Sequence, residues 1–75
     1  MDNVPIVYQI QNTVGQIKKL KQSSTIYSNS NLNGSKYNYK ANTTIRILQN
    51  IFNSIDKIRV NATGRIGYID INSYK

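Results

Sequence analysis

The stretch that decides the fold class is Thr43-Thr44-Ile45-Arg46-Ile47-Leu48. Ile45 and Ile47 fall on one face of an extended chain and Arg46 on the other, which is the two-residue period of a half-buried β-strand. The segment is rich in β-branched residues, which suit a pleated surface. The sequence therefore predicts a strand here, with the two isoleucines in the core.

The sequence on both sides of this strand has the same character, with turn residues recurring every 8–12 positions. Further strands are predicted at residues 16–21, 25–27, 36–40, 55–60 and 65–71. Between them the sequence predicts a long loop at residues 28–34 with a tight turn at Asn33-Gly34, turns at 41–42 and 50–54, a hairpin loop at 61–64 and a 3₁₀ turn within 70–74. We expect an all-β fold, a small barrel of about 5–7 short antiparallel strands.

The first fifteen residues are predicted to be a separate element, either a linker or an extra edge strand, and residues 16–75 to be the domain. Residues 4–11 alternate loosely between apolar and polar types, and Pro5 cannot donate a ladder hydrogen bond. An edge strand at this position offers unpaired backbone groups to a second copy, so a homodimer formed by strand addition is left open.

The composition argues against an enzyme. Seventy-five residues make one small domain, and the chain contains no cysteine, histidine or glutamate, so its only acids are Asp2, Asp56 and Asp70. The usual general bases, carboxylate pairs and metal-ligand sets are therefore missing. We expect no catalytic residue, no metal and no cofactor, and we expect Asp56 and Asp70 to pair with nearby cations.

The net charge of +7 indicates an anionic partner, although solubility alone is an alternative explanation for such a charge. Nucleic acid, an acidic lipid surface and an acidic wall polymer all fit the sign of the charge. The sequence has no apolar stretch long enough to span a membrane and no signal peptide. We therefore expect no membrane partner, and a chain that either works in the cytoplasm or is carried out of it by another component.

Three segments resemble the bacterial SH3 (SH3b) domain family. They are Ile26-Tyr27-Ser28-Asn29-Ser30, the segment from Lys40 to Leu48, and Lys57-Ile58-Arg59-Val60 followed by Gly64-Arg65-Ile66-Gly67-Tyr68-Ile69. In the last segment, the second glycine lets its strand pass close to a neighbour while Ile69 turns inward. The resemblance covers residues 16–75 and implies an SH3-like barrel. The chain departs from the family by lacking its usual tryptophan near residues 55–60.

The resemblance implies a non-catalytic module that binds the Gram-positive cell wall, through peptidoglycan or a secondary wall polymer. Such a module targets a bacteriophage endolysin or an autolysin during host lysis, and its partner is the catalytic domain of that peptidoglycan hydrolase. The alternative is a small SH3-like barrel that binds nucleic acid. It is disfavoured because the basic residues form no concentrated run in the sequence.

Nine residues are predicted to bind the ligand. Tyrosines near the long loop and in the last strand offer flat faces and hydroxyls, asparagines of the loop offer hydrogen bonds, and arginines pair with carboxylates or phosphates. A place in the core is an equal alternative for each tyrosine, and a solvated face for each arginine. The predicted residues are Tyr37, Tyr39, Tyr68, Asn29, Asn31, Asn33, Arg46, Arg59 and Arg65.

Overall fold

The structure, a computed structural model, describes residues 13–52 and 54–75, which form six antiparallel strands and one 3₁₀ turn. The all-β prediction is confirmed, and the edge strand predicted at residues 4–11 lies outside the described residues. The elements are β1 (Ile17–Lys19), β2 (Ser24–Tyr27), β3 (Lys36–Tyr39), β4 (Thr44–Phe52), β5 (Ile55–Val60), β6 (Ile66–Asp70) and the 3₁₀ turn Ile71–Ser73.

The six strands form one sheet in the order β1-β4-β5-β6-β2-β3. Strands β4, β5 and β6 form a meander, and the β2–β3 hairpin joins it where Tyr27 pairs with Tyr68. The chain leaving β1 is held on both sides. The Leu20 amide donates to the Thr43 carbonyl at 3.0 Å, and the Lys21 amide donates to the Ser73 carbonyl at 2.9 Å. The sheet therefore curls until its first strand meets the C-terminal turn, as in a small barrel.

The core lies inside this curved sheet and consists of aliphatic side chains. On β4 and β5, Ile47 lies opposite Ile58, and Ile45 lies opposite Val60. Burial of each such side chain stabilises the fold by about 1.5–3 kcal/mol. Tyr39 packs against the core near β2, and the buried hydrophobic residues in the described part of the chain are Leu20, Ile26, Ile45, Ile47, Ile58, Val60 and Ile69.

Strand β4 is longer than predicted, so the turn expected at residues 50–54 is wrong for residues 50–52, whereas Ser54 lies in a turn before β5. Asn50 pairs with Asp56 within the β4–β5 ladder, which continues to Phe52 opposite Ile55. The polar side chain of Asn50 is satisfied inside the sheet, because its amide nitrogen donates at 2.8 Å both to Thr13 Oγ1 and to Asp56 Oδ1. Asparagine is common in turns, but Asn50 therefore occupies a strand. The β4–β5 ladder contains two register shifts around this position.

Gly67 is the point of closest approach between β6 and β2, as the sequence predicts. A Cβ at this position would lie 2.4 Å from Ile26 Cγ2 and 2.8 Å from the Tyr27 carbonyl oxygen. The next residues also follow the prediction, since Tyr68 points outward and Ile69 is fully buried. Only glycine lets the two strands pack at this distance.

The long loop predicted between β2 and β3 is present. Leu32 (φ 59°) and Gly34 (φ 88°) adopt positive φ, and Asn33 does not. The loop closes where the Ser28 amide donates to the Ser35 carbonyl at 3.0 Å. Within residues 13–52 and 54–75, no helix is long and apolar enough to cross a membrane.

Candidate ligand-binding face

The outward surface of the sheet carries a row of side chains that crosses four strands. Tyr68 on β6 pairs with Tyr27 on β2, so the two side chains project from neighbouring positions on the face opposite the core. Both tyrosines are half-buried. Lysines continue the row on either side, because Lys57 pairs with Tyr68 and Lys36 pairs with Tyr27. We call Lys57, Tyr68, Tyr27 and Lys36 the tyrosine row.

A second row lies next to it on the same face. Arg46 of β4 pairs with Arg59 of β5, and both side chains are exposed. Ile17 pairs with Arg46 from β1, and Ile66 pairs with Arg59 from β6. We call Ile17, Arg46, Arg59 and Ile66 the arginine row. Residues 57 and 59 of β5 are two positions apart, so the two rows are separated by about 7 Å.

The folded sheet therefore concentrates positive charge that is dispersed in the sequence. The basic residues form no concentrated run in the sequence, but the strand register gathers several of them on the outward face. One acid lies on this face, Asp70, and its carboxylate caps the 3₁₀ turn by accepting from the Asn72 amide at 2.9 Å. The outward face carries five cations from four strands: Lys19, Lys36, Arg46, Lys57 and Arg59.

The predicted tyrosines do not share one surface. Tyr37 pairs with the buried Ile26, so it lies on the core side of β3, and Tyr39 also packs against the core. Tyr68 lies on the outward side of β6. The register thus separates Tyr37 and Tyr39 from Tyr68, and each remains a predicted binding residue on its own surface.

The predicted arginines also divide into two groups. Arg46 and Arg59 are brought together in the arginine row. The guanidinium of Arg65 instead stacks over the ring of Tyr37, with 3.6 Å between Cζ and the ring centroid. This cation–π contact covers one face of the tyrosine that a flat ligand would need.

The predicted asparagines lie in the exposed loop between β2 and β3. The side-chain amide of Asn29 donates to Asn33 Oδ1 at 2.8 Å, so two of the three amides bond to each other. The backbone repeats this pairing, with the Asn29 amide donating to the Asn33 carbonyl at 3.1 Å. Asn31, at the exposed tip, is the loop amide best placed for a ligand.

Asp56 is the buried polar residue of the domain, and it does not pair with a cation as expected from the sequence. Its side chain is 2% exposed and accepts from the Asn50 amide and from the Tyr74 hydroxyl. Burial, followed by the hydrogen bond to Asp56 and the charge of that carboxylate, raises the pKa of the Tyr74 hydroxyl well above its ordinary value. This network joins the two ends of the described chain and leaves Asp56 no access to a substrate.

Three members of the tyrosine row, Tyr27, Lys36 and Lys57, are absent from the residues predicted to bind. The tyrosine row is assembled by the pairing of β2 with β6. This pairing joins distant parts of the chain, so it leaves no local pattern in the sequence. Alternation within β5 does place Lys57 and Arg59 on one face, and this signal was available in the sequence.

The described residues contain no group of three or more histidine, cysteine, aspartate or glutamate side chains that could hold a metal ion. Comparison with known proteins found no matching family model, no matching curated protein and no matching solved structure.

Proposed function

We propose that this domain is a non-catalytic module that binds a polymer of the Gram-positive cell wall and targets a peptidoglycan hydrolase, an endolysin or autolysin, to it. The observation that carries the proposal is the outward face, where the tyrosine row and the arginine row lie side by side. The resemblance of residues 16–75 to SH3b domains supports the same function.

The tyrosine row suits a sugar-containing polymer with negative charges. Tyr27 and Tyr68 place two aromatic rings and two hydroxyls at paired positions on one face, and such side chains stack on sugar rings while donating hydrogen bonds. Lys57 and Lys36 lie one strand beyond each ring, so the row is cationic at both ends. A chain crossing the strands would meet a cation, two aromatic rings and a second cation.

The proposal that the domain binds its ligand without catalysing a reaction is supported by the two described carboxylates, since both accept hydrogen bonds within the fold. Asp56 is buried and accepts from Tyr74 and Asn50, and Asp70 caps the 3₁₀ turn. The sequence has no histidine, cysteine or glutamate to serve in their place. Bond cleavage would belong to the catalytic domain of the parent lysin, and this module would raise the effective concentration of that domain at the wall.

Single-stranded nucleic acid is the second candidate ligand, and the Tyr27–Tyr68 pair is the observation that favours it. Adjacent aromatic side chains on a sheet surface stack on successive bases, and surrounding cations contact the phosphates. Nucleic acid was disfavoured because the basic residues form no concentrated run in the sequence. The folded sheet removes this objection by placing five cations on one face.

A fluorescent fusion of the 75-residue chain tests the proposal on walls of low-GC Gram-positive bacteria. The intact fusion is expected to label the walls without lysing the cells. Tyr68→Ala is expected to weaken labelling about tenfold, because a central aromatic contact contributes about 1–2 kcal/mol. Failure to label the wall of any such host would remove the proposal.

Tyr37→Ala makes the same change on the other side of the sheet, so the two variants compare the two surfaces that carry predicted binding tyrosines. It is expected to leave labelling within about twofold once circular dichroism has shown that both variants are folded. Loss of labelling in the Tyr37 variant alone would move the site to the loop side of β3. A dodecamer of thymidine that binds more tightly than walls would favour the nucleic-acid alternative.

A further inference from the structure

Arg46 and Arg59 form a like-charged pair directly across the β4–β5 ladder. Both side chains are exposed on the outward face. Like charges at directly opposed positions destabilise a sheet. The free domain therefore keeps an unfavourable pair at the centre of its most cationic surface.

No acid in the described part of the chain compensates this pair. The carboxylate of Asp56 is buried on the core side and accepts from Asn50 and Tyr74. Asp70 accepts from the Asn72 amide at the far end of β6. The two guanidinium groups consequently face solvent with their charge available to an external anion.

Arg46 is also partly oriented before any ligand binds. Its Nη1 donates to the Gly15 carbonyl at 3.1 Å, and the Gly15 amide is itself held by the Ile47 carbonyl at 2.7 Å. A guanidinium has five N–H donors, so most of them remain available after this bond. The bond draws Arg46 towards β1, and Arg59 extends from β5 on the other side.

Exposed isoleucines border the pair at both ends of the row. Ile17 is 46% exposed beside Arg46, and Ile66 is 53% exposed beside Arg59. Apolar side chains next to a charged group lower the local dielectric and strengthen its attraction to an anion. The arginine row thus combines two guanidinium groups with an exposed isoleucine at each end.

We propose that Arg46 and Arg59 together bind one phosphodiester group of a secondary wall polymer. This inference rests on the proposed function and names the chemical class of its ligand. Arginine pairs with phosphate through two parallel N–H···O bonds, and an anion between two arginines relieves their repulsion. Five cations on one face match a ligand whose charge repeats along its length better than the few carboxylates of one peptide stem.

Binding to walls with and without their phosphodiester polymers tests the phosphodiester assignment separately from the wall-binding function. The 75-residue chain is titrated against intact walls and against the same walls after hydrofluoric acid extraction. We expect extraction to weaken binding at least tenfold. Equal binding to both preparations would retain the wall-binding function and overturn the phosphodiester assignment. Absence of binding to both would overturn the proposed function itself.

Substitutions of Arg59 test the pair directly. Arg59→Gln is expected to weaken binding to intact walls about tenfold, and Arg59→Lys to lose most of the same affinity although it keeps the charge, since lysine lacks the planar fork. Lys40→Gln is the charge-matched control in the turn after β3 and is expected to stay within about twofold. Wild-type affinity in Arg59→Lys, or an equal loss in Lys40→Gln, would overturn the inference.

The Tm of the Arg59→Gln variant separates a binding role of Arg59 from a structural role, because loss of a structural arginine would lower the Tm. Because Arg59→Gln removes the repulsion with Arg46, we expect it to raise the Tm of the free domain by about 1–4 °C while it weakens wall binding. A lower Tm accompanied by weaker binding would show that Arg59 supports the fold and would overturn the proposal.

Discussion

Asp56 shows at the residue scale how a small domain retains a buried charge. Both of its carboxylate oxygens accept hydrogen bonds, one from Asn50 and one from Tyr74. Removing one partner of such a group leaves an unsatisfied charged acceptor, which costs more than the bond contributes. The donors around Asp56 are therefore among the polar side chains on which stability depends most.

We predict that Tyr74→Phe destabilises the domain by about 1–3 kcal/mol at neutral pH. The raised pKa of Tyr74 sets the sign of the pH dependence. Because the pKa is higher in the folded state than in the unfolded one, this stabilisation is complete below about pH 10 and is lost as the pH rises towards the folded pKa.

Urea denaturation from pH 7 to about pH 11 measures this dependence. The difference in unfolding free energy between the wild type and Tyr74→Phe is expected to narrow above about pH 10. Tyr27→Phe makes the same change on the outward face and is expected to be nearly neutral. A difference that stays constant to the highest pH would show that the Tyr74 hydroxyl does not contribute in this way.

We predict that Gly67→Ala costs about 2–4 kcal/mol. The added methyl would overlap both Ile26 Cγ2 and the Tyr27 carbonyl, and the carbonyl belongs to a paired strand that cannot move freely. Gly64→Ala is the comparison, because nothing lies within 4 Å of its Cβ and only its φ of 76° opposes the change. Chemical denaturation should show the larger loss at Gly67, and the reverse order would contradict the packing described for β2 and β6.

At the scale of elements, the pairing of β4 with β5 organises the domain. Residues 13–16 dock on the outer edge of β4, where the Gly15 amide donates to the Ile47 carbonyl at 2.7 Å. Asn50 contributes to the same attachment through Thr13 and reaches Asp56 on the other side. One side chain of β4 thus joins the segment before β1 to the interior of β5.

We predict that Asn50→Ala destabilises the domain by about 2–3 kcal/mol and frees residues 13–16 before the rest of the sheet. Amide hydrogen exchange should show faster exchange at Gly15 relative to Ile58. Asn38→Ala is the control, since its exposed side chain bonds only Thr25 among the described contacts. Unchanged relative exchange at Gly15 would show that Asn50 does not hold this segment.

At the scale of the whole molecule, stability depends on a core of seven aliphatic side chains. A domain of this length is expected to have a total unfolding free energy of only about 4–11 kcal/mol. We predict that Ile47→Val costs about 0.5–1.5 kcal/mol, and that Ile47→Ala, at about 2–5 kcal/mol, leaves the domain close to unfolding. Ile66→Val, on the exposed face, should be nearly neutral in the same denaturation experiment, and a loss as large as that of Ile47→Val would contradict the burial described.

The sequence predicted features that depend on neighbouring residues. The bounds of β5, the inward position of Ile45 and Ile47 and the close approach at Gly67 follow from alternation and glycine placement. The extension of β4 through Asn50 was missed because its hydrogen-bond partners lie 37 and 6 residues away. The tyrosine row was missed for a related reason, since the pairing of Tyr27 with Tyr68 depends on how distant strands align.

The convergence of Thr13, Asn50, Asp56 and Tyr74 brings the beginning and the end of the described chain to one pole of the barrel. In a variant that begins at residue 13, polypeptide fused at either end would emerge beside the other, and a short linker of glycines and serines would connect residue 75 to residue 13. A circular permutant opened in the exposed turn at residues 61–64 would then keep every strand pairing of the sheet. Its ¹⁵N correlation spectrum should overlay that of the natural order except near the new junction and the new termini.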